Sequence, residues 1–141
     1  MSIVTAAFDD LDPRTLYGIL RLRNLVFVVE QRCPYLDLDG RDLEPATRHC
    51  WILHAGVIGA YLRIVPDGGE LRRIGRVVTA PSARGQGLAA RLVRHALTLT
   101  ARPALLDAQS NLVGWYAALG FEPVGPEFVE DGIPHTPMRH P

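Results

Sequence analysis

Apolar side chains recur along this chain at two spacings, one typical of strands and the other of helices. A short apolar run at 3–8 is suited to a first strand. Asp12-Pro13 then combines a helix N-cap with a proline at the first helical position. Apolar residues three and four positions apart continue this helix through about Glu30, and Cys33-Pro34 stops it. This part of the chain therefore predicts a strand followed by a long helix.

The middle of the chain changes to β-prone apolar runs joined by short turns. Three runs predict an antiparallel meander, and they cover His49–Leu53, Val57–Val65 and Leu71–Thr79. Before the meander, residues 34–48 are polar and rich in Asp. Such a stretch predicts a long loop, and long loops inside compact domains are often functional.

The remainder of the chain predicts two helices, a strand and a final hairpin. In chain order they are a helix at 85–100, a buried strand at 104–108, a helix at 111–119 with Gly120 as its C-terminal cap, and a hairpin of 121–129 and 133–138 that turns at Glu130-Asp131-Gly132. The sequence contains no internal repeat, low-complexity tract or interdomain linker. We therefore predict a single domain over residues 1–141, of the α+β class.

Composition narrows the classes of protein to consider. With 141 residues, 48% of them apolar, the chain is suited to one globular core. Fifteen acidic residues balance fifteen basic ones, so no general positive field favours nucleic acid. No apolar run approaches the ~20 residues that span a bilayer, and we expect a soluble, cytoplasmic protein without a membrane partner. Cys33 and Cys50 lack the spacing of a zinc ribbon or a disulfide framework.

A strand that passes through a glycine loop directly into an amphipathic helix predicts an anion site. The first backbone N–H groups of a helix have no partner within it, and they lie at the positive end of its dipole. Gly85 and Gly87 allow a phosphate to approach this backbone closely. No Lys-Ser/Thr follows, so the loop is not a P-loop, and it lacks the third glycine of the dinucleotide fingerprint. The alternative is an ordinary glycine-rich helix start with a solvated Arg84.

The loop Arg84-Gly85-Gln86-Gly87-Leu88-Ala89 resembles the pyrophosphate-binding motif of the GNAT superfamily of acyl-CoA-dependent N-acetyltransferases. The resemblance implies acetyl-CoA as the cofactor and the GNAT-like acyl-CoA N-acyltransferase fold, a central mixed, mostly antiparallel sheet flanked by helices. It also implies a set of cofactor-binding residues, namely Val77, Val78, Thr79, Arg84, Gly85, Gln86, Gly87, Leu88, Ala89, Asn111 and Tyr116.

A second stretch, Asn111 to Phe121, resembles the family's other signature, a helix that ends in Tyr-x-x-x-Gly-Phe. In the family this tyrosine, here Tyr116, often protonates the departing CoA thiolate, which is a general-acid role that a phenol beside the sulfur can fill. The alternative is that Trp115 and Tyr116 only pack on a short helix and that Asn111 only caps it.

The general base departs from the family pattern. An alkylammonium has an ordinary pKa of about 10.4 and must lose a proton before it can attack. Many members place a Glu on the strand before the glycine loop, whereas residues 71–78 here contain arginines and no carboxylate. Glu70 stands only at the start of this strand. The base must come from elsewhere or act through water, unless the reaction can dispense with one.

Residues 23–35 and the Asp-rich loop that follows resemble the ElaA-like branch of the superfamily, with the match continuing to the last hairpin. We call residues 30–42 the front loop; its acidic residues are Glu30, Asp37, Asp39 and Asp42. We predict that these residues select a cationic amine and that His135 also faces the acceptor. Glu30 or His49 could relay the proton. The alternatives are that these carboxylates cap turns and pair with Arg23, Arg41 and Arg48, and that His135 pairs with Asp131. The spacing lacks the terminal Glu of a calcium loop, so no metal is expected.

The resemblance implies transfer of an acyl group from acetyl-CoA to a primary amine of a small molecule or peptide, by direct attack. Two alternatives stay open. One is an acyl-homoserine-lactone-synthase-like acyltransferase, because those enzymes also carry an Arg-x-x-Val-Phe segment and an acidic loop in their N-terminal half. The other is a CoA-binding module without catalysis. The sequence leaves the acceptor unnamed and is compatible with a monomer or a homodimer.

Overall fold

The computed structural model describes residues 2–141, which form one eight-stranded sheet with helices packed against it. The strands are β1 (Ile3–Ala6), β2 (Arg48–His54), β3 (Val57–Pro66), β4 (Arg72–Thr79), β5 (Ala104–Gln109), β6 (Glu122–Pro123), β7 (Phe128–Glu130) and β8 (Ile133–His140). The helices are α1 (Pro13–Arg23), α2 (Leu88–Leu99) and α3 (Val113–Ala117), and a π-helical segment (Asn24–Glu30) extends α1.

The sheet is mixed and mostly antiparallel, as the sequence predicts. Its order is β1-β2-β3-β4-β5-β8-β6, with β7 paired to the other part of β8. Among the strands of residues 2–141, only β4 and β5 run parallel. The predicted strand at 121–129 is wrong in one respect, because it is split into β6 and β7. Pro126 lies between the two pieces and has no N–H to donate to a ladder.

The parallel pair opens the sheet. β4 and β5 are paired only at Arg72↔Ala104 and Arg73↔Leu105, after which the two strands separate. β4 also carries a bulge, because β3 has one residue between its partners of Gly75 and Val78 where β4 has two. Arg76, one of those two, adopts a φ of 51°. The divergence leaves a cleft between the C-terminal halves of β4 and β5.

The helices begin where the sequence predicts or slightly later. Asp12 caps α1 by accepting a hydrogen bond of 2.8 Å from the Thr15 backbone N–H. The predicted long helix reaches Glu30, but its last seven residues are π-helical, and the Gln31 N–H accordingly donates to the carbonyl oxygen of Val26 five residues earlier. α2 begins at Leu88 rather than at residue 85 because the glycines before it adopt positive φ.

The core lies between the helices and the sheet. Its largest fully buried apolar side chains are Ile19, Ile52, Tyr61, Leu62, Ile74, Leu88, Leu92, Leu106 and Met138. Cys50 and Cys33 are buried and form no disulfide. Within residues 2–141, no helix has the length and apolar character needed to cross a membrane.

Candidate functional site

The main cavity of the described residues is the cleft where β4 and β5 separate, with a volume of about 970 Å³. This is the size range of sites that hold small molecules and cofactors. One wall is the end of β4 and the glycine loop, and the other is β5 with α3. The front loop and the tip of the β7–β8 hairpin border its second end.

The glycine loop leaves its backbone open to the cleft. Gly85 and Gly87 have φ values of 80° and 72°, a region that other residues rarely adopt. Beyond the adjacent residues of the chain, a Cβ added at either position would meet no protein atom within 4 Å. The twelve-residue helix α2 starts directly after Gly87, so its unpaired N–H groups face the same end of the cleft. This arrangement suits a diphosphate, and the residues present fit the pyrophosphate of CoA.

Arg84 of the glycine loop already has an anionic partner. Its guanidinium makes two hydrogen bonds to Glu30, of 2.5 and 3.1 Å. The hydrogen bond from Arg84 lowers the pKa of Glu30. Both side chains are exposed, so this ion pair crosses the rim of the cleft from the glycine loop to the end of the π-helical segment. A phosphate that binds Arg84 must compete with Glu30.

Tyr116 on α3 lines the cleft from the β5 side. Its ring is buried and makes edge-to-face contacts with Trp115 and Phe121, at centroid distances of 4.9 and 5.9 Å. Burial raises the pKa of Tyr116 to about 12. The phenol therefore keeps its proton at neutral pH, which is the state that a proton donor requires.

The acidic front loop is held by three arginines in a buried ionic network. Arg23 is fully buried and bonds Asp37 at 2.9 Å and Asp42 at 2.8 Å. The other contacts of the network join Arg63 to Asp39 at 2.6 Å and to Asp42 at 3.1 Å, and Arg76 to Asp37 at 2.8 Å and to Asp39 at 3.4 Å. Two of these arginines come from the sheet, far away in sequence.

This network changes the interpretation of the predicted acceptor residues. Asp37 and Asp42 are buried and do not line the cleft, so an amine cannot reach them without breaking the network. Asp39 does line it, but both of its carboxylate oxygens accept hydrogen bonds from Arg63, which hold its pKa well below the usual range. Burial opposes ionisation of Asp42, yet its guanidinium partners keep its pKa lowered. The three aspartates are thus paired with arginines, as the alternative predicts: Arg23 takes part as named there, and Arg63 and Arg76 stand in place of Arg41 and Arg48.

His49 lies away from the cleft. It is buried on β2, with Nδ1 2.7 Å from the hydroxyl of Tyr61 and Nε2 3.1 Å from the carbonyl oxygen of Asp42. Burial lowers its pKa. Its placement gives no support to the predicted proton relay, because both ring nitrogens face groups inside the protein.

The far end of the cleft is formed by β5, the β7–β8 hairpin and the start of the front loop. His135 on β8 is paired with Gln109 on β5, and both residues line the cleft. The Gln109 amide donates to the side-chain oxygen of Gln31 at 3.2 Å. The Cys33 thiol donates to the carbonyl oxygen of Asp131 at 3.3 Å, which ties the hairpin tip to the front loop.

Most predicted cofactor residues lie around one cavity. Those that line the cleft are Val77, Val78, Thr79, Arg84, Gly85, Gly87, Leu88, Ala89 and Tyr116. The Gln86 side chain lies 3.5 Å from His54, outside the cleft lining. Asn111 borders a second, shallower hollow instead.

Sequence reasoning missed several charged and polar residues of the cleft. They are Gln31, Arg63, Arg73, Arg76, Asp107, Gln109, Glu130 and Asp131. Asp107, for example, lies 3.1 Å from Arg73 across the point where β4 and β5 begin to separate. The alternation of residues 105, 107 and 109 on a short strand was the available signal, because alternate residues share one face.

The comparisons with known proteins agree with this geometry. A family model described as an acetyltransferase (GNAT) domain matches residues 38–140. UPF0039 protein Rv2851c of Mycobacterium tuberculosis is 50% identical over 137 residues, covering 94% of this chain and 88% of that protein. Protein ElaA of Escherichia coli is 38% identical over 137 residues, covering 92% of this chain and 90% of that protein. The crystal structure of an acyl-CoA N-acyltransferase from Pseudomonas aeruginosa superimposes with a TM-score of 0.92 at 39% identity, covering 99% of each chain.

Proposed function

This chain belongs to the GNAT acetyltransferase family, and we propose that it transfers an acetyl group from acetyl-CoA to a primary amine. The family and the acyl-CoA N-acyltransferase fold support an acyltransferase that uses a CoA-type donor. The choice of acetyl as the acyl group and of an amine as acceptor is the proposal.

One observation carries this proposal, which is that the sheet opens directly beside the glycine loop. The loop and the start of α2 provide a diphosphate site at one end of the cleft. The diverging strands β4 and β5 then provide a slot that leads away from it. Tyr116 lines the same cleft, so its phenol could serve the thioester of a CoA-type donor bound there.

The chain's own groups can perform direct transfer without a covalent enzyme intermediate. The amine attacks the thioester carbonyl carbon, and we assign the resulting oxyanion to a backbone N–H of the β4 bulge around Arg76 and Val77. Tyr116 then donates its proton to the departing sulfur. Holding the two reactants together in the cleft supplies the rest of the rate enhancement over the reaction in water.

The acceptor is a small-molecule or peptide amine that enters from the front-loop end. Asp39 and His135 remain proposed acceptor contacts because they line the cleft, and Glu30 remains one as an exposed carboxylate at the rim, where it is paired with Arg84. Asp37 and Asp42 act through the network that shapes the front loop.

A panel assay tests the proposal. Acetyl-CoA is incubated with polyamines, amino acids, peptides and aminoglycosides, and free CoA thiol is measured against a control without protein. An acetyltransferase should release thiol with at least one amine, and the product should carry one acetyl group by mass spectrometry. Calorimetry should show similar affinities for CoA and acetyl-CoA, because the pyrophosphate supplies the main anchor. Binding without thiol release for any amine would instead identify a CoA-binding module.

A further inference from the structure

An ammonium acceptor must lose a proton before it attacks, and β4 has no carboxylate to take it. We propose that His135 is the general base, with Nε2 as the proton acceptor, directly or through one water. This assignment rests on the proposed function, and it goes beyond acceptor binding because it gives His135 a chemical step.

A backbone contact fixes the tautomer of His135. Its Nδ1 lies 2.7 Å from the carbonyl oxygen of Ile133. A carbonyl oxygen can only accept a hydrogen bond, so Nδ1 carries the proton of the neutral ring. Nε2 is then left with its lone pair, and this is the form in which an imidazole can accept a proton.

The sheet holds the ring against one wall of the cleft. His135 lies opposite Gln109 of β5 on one side and Phe128 of β7 on the other. The Phe128 ring stacks on the imidazole, with centroids 5.7 Å apart and planes inclined by 21°. His135 is half-buried and lines the cleft. The proposed base is therefore held on β8, between its two partner strands β5 and β7.

Three other titratable groups near the cleft are occupied by protein partners, namely Asp39, Tyr35 and Cys33. Asp39 is bonded through both oxygens to Arg63. The Tyr35 hydroxyl donates to Asp37 at 2.5 Å, and burial is the first cause of its raised pKa. The Cys33 thiol donates to a backbone carbonyl. His135 is the only histidine among the described residues that line the cleft.

The charges that share this end of the cleft favour a cationic acceptor. Glu130 and Asp131 at the hairpin tip and Asp107 on β5 are carboxylates that line it. The arginines that line the cleft here have carboxylate partners: Arg73 is paired with Asp107 and Asp67, Arg41 with Glu44, and Arg63 and Arg76 within the front-loop network. The hairpin carboxylates can thus attract an ammonium toward His135.

The protons balance in this scheme. The ammonium gives one proton to His135 Nε2, which frees the nitrogen lone pair to attack the thioester carbon. When the intermediate collapses, the C–S bond breaks, the nitrogen releases its second proton to water, and Tyr116 protonates the sulfur. Solvent then deprotonates His135 and reprotonates Tyr116. One proton is released overall for each CoA thiol formed.

The kinetic test replaces His135 with Gln in the full-length chain and uses an amine found in the panel. At neutral pH, kcat/KM for the amine should fall by about 100- to 1000-fold, while calorimetry should give an unchanged CoA affinity. The variant should react only with amine that is already neutral, so its kcat/KM should rise by about tenfold per pH unit below the amine pKa. For the parent protein, the plot of kcat/KM against pH should instead show a plateau in this range. His95→Gln is the matched control, because His95 bonds Thr5 outside the cleft.

A second readout does not require turnover. In ¹⁵N-labelled protein, the ring signals of His135, assigned by their absence in His135→Gln, should show a protonated Nδ1 and an unprotonated Nε2. A protonated Nε2 in the neutral ring would overturn the assignment. If the parent turns over while His135→Gln keeps both its kcat/KM and its pH profile, the base is wrong but the proposed function stands. If the parent releases no thiol with any amine, the proposed function fails and the base assignment falls with it.

Discussion

The glycine loop and the acidic front loop border the same cleft, yet they use polar groups in opposite ways. The glycine loop keeps backbone N–H groups unpaired at the start of α2, and its glycines leave the space beside them open. The front loop pairs its aspartates with Arg23, Arg63 and Arg76 before any ligand arrives. One region leaves backbone donors and space open, whereas the other is internally neutralised.

This difference implies that the front loop mainly stabilises the fold, whereas the glycine loop mainly affects binding. A buried ionic network is costly to break because each charge then loses its partner in a buried place. We therefore expect substitutions in the front loop to change stability first, and substitutions around the glycine loop and Tyr116 to change binding or turnover while the fold persists.

Arg23→Ala should produce the largest change. It removes a fully buried guanidinium and leaves Asp37 and Asp42 without that partner. We expect the free energy of unfolding, measured by urea denaturation, to fall by about 3–5 kcal/mol. Arg21→Ala is the control, because Arg21 is exposed two residues earlier on the same helix. Equal stabilities of the two variants would show that the network contributes little.

Tyr116→Phe should leave stability and CoA affinity nearly unchanged and should lower kcat by about 10- to 1000-fold, because one positioned proton donor is lost. The measurement is turnover at saturating substrates, with chemistry shown to limit the rate by rapid-mixing kinetics. A variant with the parent's kcat under those conditions would remove Tyr116 from the mechanism and leave it as a packing residue.

Gly87→Val should weaken CoA binding by about 10- to 30-fold, since the side chain would occupy the approach to the α2 N-terminus. The substitution also strains the backbone, because φ is 72°. Gly68→Val controls for this strain, with a φ of 94°, open space around it and a position outside the cleft lining. Both variants should be less stable, and only Gly87→Val should lose CoA affinity by calorimetry.

The sequence predicted the order of elements and the glycine loop because both depend on local signals. A strand, two glycines and an amphipathic helix are neighbours in the chain, and their geometry follows from φ preferences and helix ends. The network was harder to predict, because Arg63 and Arg76 reach the front loop only after β3 and β4 pair. The sequence alternative included Arg23, which does take part, but otherwise chose Arg41 and Arg48, which are nearer in the chain.

His135 was predicted to face the acceptor, but its pairing with Gln109 at the far end of the cleft was missed for the same reason. Gln109 and His135 meet because β8 inserts between β5 and β6, a strand order that apolar periodicity does not encode. The π-helical turn that carries Glu30 to the glycine loop was also invisible, since α- and π-helical segments share similar apolar spacing over seven residues.

Glu30→Gln should give the smallest effect, a change in CoA affinity. The direction of that change distinguishes two roles for the Arg84–Glu30 pair, which joins the glycine loop to the front loop. Arg84 bonds Glu30 at the rim, so CoA binding through Arg84 must displace that carboxylate. Removing the charge should tighten CoA binding by about two- to fivefold, the size expected for an exposed pair. Glu122→Gln, which breaks the exposed pair with Arg139 outside the cleft lining, should leave CoA affinity unchanged.

If Glu30→Gln weakens CoA binding instead, Glu30 positions Arg84 for the pyrophosphate. A raised KM for the amine in the same variant would indicate that Glu30, once displaced, contacts the acceptor.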